Sequence, residues 1–163
     1  MRSLLIAAFL LSSSALVQAE TMEVNPERPI VSANLPNAWD ISRVDRGIQA
    51  ISKDQDAFVW VESYLPGELD EIIAEHNAYW KEQGVEITGH ESTEHSENGK
   101  SYVITEETAT EDGKPTKLMY AEYSLGLGSK RNIVVTYWAS PEGDKKYEHT
   151  VGDIFSSMTV TEK

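Results

Sequence analysis

Cysteine is absent from this 163-residue chain, so neither a disulfide nor lipid attachment through a cysteine is available to it. A secreted domain without disulfides has to hold itself together by burial alone. Basic residues are scarce as well: 14 Lys and Arg stand against 27 Asp and Glu, a formal net charge of -13. Phosphate backbones and anionic membranes call for clustered Lys and Arg, which excludes nucleic acid as a partner. No long hydrophobic run occurs either. The unbroken apolar stretch from Leu4 to Leu11 is far short of the roughly 20 residues that a membrane-spanning helix needs, and serines follow it.

That short run still carries information. In MRSLLIAAFLLSSSALVQAE one basic residue, Arg2, precedes the apolar stretch, and Val17, Gln18 and Ala19 precede Glu20. This pattern predicts a secretory signal peptide over residues 1–19 and a periplasmic or secreted product with no membrane insertion after cleavage. Cleavage removes only Arg2 among the charged residues, so the mature chain is slightly more acidic. Its length suits one domain with a core of its own.

Residues 20–34 are polar and interrupted by Pro26 and Pro29, and they read as a mobile leader. Order is expected from Leu35, with 35–163 forming a single α+β domain. Alternating or continuous apolar residues predict strands near 38–43, 47–52 and 57–64. Leu69, Ile72, Ile73, His76 and Trp80 recur at helical spacing, with acids Glu68, Asp70 and Glu71 at the start and Gly84 at the end, predicting a helix over 67–83. An antiparallel meander follows over 86–139. Its turns are marked by Asn98-Gly99 and Asp112-Gly113, each set between a Glu and a Lys, pairs that favour the positive φ angles of a type I′ turn. Further strands are expected near 116–125 and 132–139. The last helix shows Tyr147, Val151, Ile154, Phe155 and Met158 on one face, with Asp144 as its cap.

The stretch GHESTEHSENGK sets His90 and His95 among glutamates and raises the question of a metal or acid/base site. In a strand, side chains an odd number of positions apart point to opposite faces, so these two imidazoles cannot share an ion. Same-face pairs four residues apart are separated by roughly 13 Å, against metal–ligand distances of about 2 Å. Projected across the Asn98-Gly99 turn, His95 faces Tyr102, Thr93 faces Ile104 and Glu94 faces Val103, none of which completes a ligand set. No metal and no cofactor is expected. Asp54 and Asp56 in KDQD lack the glycine and terminal glutamate of a calcium loop and read as a turn. The acids Glu106, Glu107, Glu111 and Asp112 read as a solvated strand end, and His149 beside Glu148 has no placed partner.

Trp39, Trp60, Trp80 and Trp138, with Tyr102, Tyr120, Tyr123 and Tyr137, are many large rings for a small domain, and most should fill the core. Carrying the register through Asp112-Gly113 puts Tyr102 opposite Tyr123, Ile104 opposite Ala121 and Glu106 opposite Met119. That face, completed by Ile87, is expected to pack under a helix. The opposite face mixes Val103, Leu118 and Tyr120 with Thr105, Glu107 and Glu122. It is expected to be only partly covered, leaving a shallow ligand groove lined by Val103, Leu118, Tyr120 and Trp138.

With LPNAW leading into the first hairpin and HTVGDIFSSM closing the chain, the order of strands, helix, meander and helix resembles the Mog1/PsbP-like fold group over about 35–160. The resemblance rests on packing positions. It implies an antiparallel sheet of about six strands flanked by two main helices, an α/β/α sandwich. The group includes photosystem accessory proteins, a Ran-binding nuclear protein and exported bacterial proteins, and a plain signal peptide fits the last. It implies accessory binding and supplies no catalytic residue. The expected function is therefore an exported, non-catalytic module that engages a protein or a small apolar ligand in the cell envelope. The alternative is a small cofactor-free hydrolase or isomerase that pairs His76 with a buried carboxylate in a cystatin-like cone.

Overall fold

The fold follows from which segments can bury one side and which can bury two. The computed structural model describes residues 19–25, 30–97, 100–124 and 131–161. Strands β1 (Ala19–Glu23), β2 (Ile30–Pro36), β3 (Asp40–Val44), β4 (Gly47–Ile51) and β5 (Ala57–Tyr64) lead to helix α1 (Leu69–Glu82). Strands β6 (Val85–Glu97), β7 (Lys100–Glu111), β8 (Lys114–Tyr123) and β9 (Asn132–Ala139) precede α2 (Pro141–Ser157), and β10 (Thr159–Thr161) follows it. Seven strands form one antiparallel sheet in the order β3-β4-β5-β9-β8-β7-β6, and β1-β2-β10 form a second, smaller one. The central strands β5 and β9, AFVWVESY and NIVVTYWA, are apolar on both faces because both faces are covered. On one side α1 lies over Phe58, Leu118, Tyr120 and Val134. On the other, α2 and the small sheet enclose Leu35, Trp39, Ile48, Val59, Val135 and Ile154.

The small sheet corrects the expectation of a mobile leader over 20–34. Residues 19–23 and 30–36 are paired strands, with Ala19 opposite Pro36 and Glu23 opposite Ser32. Val31, Ala33 and Leu35 alternate with polar neighbours and are at most 1% exposed, so β2 is an amphipathic strand whose period-two pattern is short and flanked by prolines. Residues 1–18 of the expected signal peptide and the Asn98-Gly99 turn fall outside the described residues. The register expected from that turn is nevertheless present: His95 pairs with Tyr102, Thr93 with Ile104 and Glu94 with Val103. At the next turn Asp112 and Gly113 have φ of 51° and 73°, the type I′ requirement, and Tyr102 pairs with Tyr123.

Ile87 is a second correction. The β6–β7 register shifts between Ile87 and Gly89, so Ile87 pairs with Ala109 and packs on the α1 side, with Leu118 and Trp80, away from Ile104 and Met119. One inserted residue moves everything beyond it to the other face. The helix cap is a third. Ser140, not Asp144, caps α2: its Oγ accepts the Gly143 N–H at 3.0 Å, and Pro141 occupies the first turn. Asp144 instead accepts the Tyr137 hydroxyl at 3.1 Å.

The KDQD turn fastens the start of α2. The Asp54 carboxylate accepts from Ser52, Tyr147 and Lys146, and Lys146 with Ser52 holds it well below the usual carboxylate range. Asp56 accepts both the N–H and the hydroxyl of Ser140.

Candidate functional site

Helix α1 brings one histidine against the sheet. Ile72, His76 and Trp80 form its buried stripe, four residues apart, while acids open its first turn and Gly84 closes it at φ +86°. His76 is 4% exposed, and its Nδ1 is 2.9 Å from the hydroxyl of Thr136 on β9, itself fully buried. Its Nε2 is 2.7 Å from Oε2 of Glu62 on β5, whose side chain is 5% exposed. Oε2 has no hydrogen-bond partner among the described residues, so this is a close polar contact and not an aligned hydrogen bond. Nδ1 and the Thr136 hydroxyl share one hydrogen bond, whose direction follows the ring's tautomer. Trp60 covers the imidazole with ring centroids 4.4 Å apart, and Tyr120 stacks at 6.2 Å.

The chain of charge continues outward. Arg46, on the turn between β3 and β4, places Nε 3.2 Å from Oε1 of Glu62 and Nη2 2.6 Å from Glu75 on α1. Glu62 is therefore held between a buried imidazole and a guanidinium. The guanidinium supplies the opposite charge that a buried carboxylate needs.

Around this sealed network the surface opens into cavities. One of 340 Å³ lies between α1 and strands β6–β8, lined by Asp70, Asn77, His90, Glu107, Tyr120 and Glu122. The Tyr120 hydroxyl donates to Asn77 at 2.7 Å. Burial pushes the carboxyls of Glu107 and Glu122 up, partly offset at Glu107 by His90 and reinforced at Glu122 by Asp70. A second cavity, of 400 Å³, sits at the C-terminal end of α1 against Phe58, Tyr79, Trp80 and Trp138, with Glu111 and Gln83 at its margin. The buried indole Nε1 atoms of Trp80 and Trp138 have no hydrogen-bond acceptor among the described residues.

The four residues expected to line a groove share the α1 face but not one cavity. Leu118 is 0% exposed beneath α1 and lines none of these cavities. Tyr120 lines the acidic cavity and Trp138 the aromatic one, while Val103 lines a third, of 530 Å³, with Tyr64, His95 and Glu122. His90 and His95 do point to opposite faces. His90 stands beside Glu107 on the α1 side, and His95 stacks on Tyr102, centroids 5.1 Å apart, in a row that continues to Tyr123 and Phe155 of α2.

No family model and no curated sequence matches the chain. Among solved structures, the solution structure of cyanobacterial PsbP (CyanoP) from Synechocystis sp. PCC 6803 is similar. It superposes with a TM-score of 0.65 at 9% identity, over 91% of this chain and 95% of that one. The fold is PsbP-like. At that identity the likeness carries architecture and no side chain, so the site has to be argued from this chain's own residues.

Within the PsbP-like frame, the sequence offered His76 with a buried carboxylate only as the alternative reading and did not say which carboxylate. Glu62 was the available signal. It is the one acid inside the apolar run AFVWVESY, and a buried strand acid needs a counter-charge. Thr136 in NIVVTYWA gave no comparable signal, because threonine is at home in any strand.

Proposed function

We propose that this chain is an exported accessory protein that acts by binding, with residues 1–19 removed as a signal peptide and the α1 face as its contact surface. The observation that carries this reading is the enclosure of His76, Glu62 and Thr136 beneath α1, none of them more than 4% exposed. The PsbP-like architecture is compatible with it. So is the run of aromatic rings at the end of α1, where Trp138 and Tyr79 are half-buried around an open cavity suited to an apolar side chain or small apolar ligand. No helix among the described residues is long and apolar enough to cross a membrane.

A photo-crosslinking residue placed at Tyr79, compared with one at Glu142 on α2, tests the reading in the native compartment. A reproducible adduct from position 79 alone supports it. Equal adducts, or none from either position, sink it.

The rival reading, a cofactor-free hydrolase or isomerase, draws on the same His76–Glu62 contact. It requires α1 to lift so that Thr136 or His76 meets solvent. Activity abolished by Glu62→Gln in a protein that remains folded would favour it.

A further inference from the structure

We propose that the cavity beside the β3–β4 turn is a binding site for a small oxyanion, a carboxylate or phosphate group, held by Arg43 and Arg131. The cavity measures 460 Å³ and is formed by the end of β1, the turn from Arg43 to Gly47, Ser63 of β5 and Arg131 ahead of β9. The described residues contain three arginines, Arg43, Arg46 and Arg131, and all of them line this one cavity. The contrast with the other cavities is sharp. The aromatic cavity carries Asp40 and Glu111, the α1 groove Asp70, Glu107 and Glu122, and the third Glu94 and Glu122, with no Lys or Arg among their linings. In a chain of net charge -13, this cavity brings arginines from two separate segments into one lining.

The three arginines divide the work. Arg46 is committed inward to Glu62 and Glu75 and so ties the turn to the buried histidine network. Arg43 is steadied by donating from Nη1 to the Val24 carbonyl at 3.3 Å. Glu23 and Asp45 also line the cavity and are exposed, as Arg43 is, so two acids share the lining with the three arginines. The turn itself is rigid. A Cβ on Gly47 would fall 2.0 Å from the Val61 carbonyl oxygen, so the turn lies directly on the backbone of β5. The planar, always-charged guanidinium suits two-point recognition of an oxyanion, and a fixed turn lowers the ordering cost of binding. This site is separate from the α1-side contact surface and does not depend on it.

Titration of the folded chain with inorganic phosphate and with succinate, at ionic strength held constant with chloride and followed by amide and arginine Nε NMR, tests the proposal. Saturable shifts confined to Arg43–Gly47, Ser63 and Arg131 are expected with at least one anion. Saturation by phosphate alone assigns a phosphate ligand, by succinate alone a carboxylate, and by both an oxyanion of either kind. Arg43→Gln and Arg131→Gln should each weaken the affinity by about tenfold, the loss expected of a charge-assisted hydrogen bond. Lys145→Gln, the same charge change on α2, should leave it unchanged. Arg43 is exposed, so its variant carries the test if Arg131→Gln does not fold. No saturation with either anion, shifts scattered over the surface, or parent-like binding by the Arg43 variant would overturn the proposal.

Discussion

On the α2 side of the large sheet, Leu35, Ile48, Val59, Val135 and Ile154 meet in a continuous apolar core closed by the small sheet. On the α1 side, Phe58, Ile72, Leu118 and Val134 surround a carboxylate, an imidazole and a hydroxyl. The first arrangement is what hydrophobic burial alone would produce. In the second, taking Glu62 and His76 out of water costs free energy that their mutual contact at best balances, and an apolar trio of similar volume would be as stable. Burial alone accounts for the packing of the α2 face, while the α1 face encloses polar groups whose burial it does not explain.

The comparison can be broken first by truncation. Ile154→Ala, 2% exposed in the unmixed core, should cost about 2–5 kcal/mol in urea denaturation, with the transition still cooperative. Next comes the seat of α2. A Cβ at Gly143 would fall 2.0 Å from the Asp56 carbonyl oxygen, so Gly143→Ala should cost about 1–3 kcal/mol. Gly152 of the same helix has nothing within 4 Å of an added Cβ, and Gly152→Ala should be neutral or stabilise by up to about 1 kcal/mol. Equal losses at both glycines would refute the close docking of α2 on the KDQD turn.

A double-mutant cycle of Glu62→Gln and His76→Gln sharpens the other face. A coupling of about 0.5–3 kcal/mol is expected for side chains in one buried network, and strict additivity would show that the pair does not interact.

The smallest effect concerns Glu122. Its carboxyl is raised from the ordinary 4.5 by burial and then by Asp70, so the folded chain holds that proton more tightly than the unfolded one. Stability therefore falls as pH climbs through the window above 4.5, and the ionised side chain is a net cost at neutral pH. Glu122→Gln should raise Tm slightly at neutral pH, and the gain should vanish below about pH 4, where both states are protonated. A gain that persists in acid would place its origin elsewhere.

What the sequence made legible was periodic. Turn dipeptides fix registers, so the pairings of Tyr102 and His95 and the opposite directions of His90 and His95 could be read directly from Asn-Gly, Asp-Gly and parity. The stripe Ile72, His76, Trp80 was visible for the same reason. What escaped was whatever breaks period or acts at long range. The bulge between Ile87 and Gly89 moves Ile87 across the sheet, and Gly89 inside the strand pattern was its local sign. The strand Ile30–Pro36 hid between prolines, and its partners lie before it and at the far end of the chain. The groove expected from Leu118 and Tyr120 was an open-sheet inference, and α1 covers most of it. The arginine cavity draws on segments far apart in sequence, and only the fold brings them together.

Closure of α1 over His76 is tested most directly by comparing the carbethoxylation rates of the four histidines in the folded chain. His90, His95 and His149 are exposed and should react promptly, while His76 should react only as fast as the protein opens. Modification of His76 at the rate of the other three would contradict the account and reopen the site to chemistry.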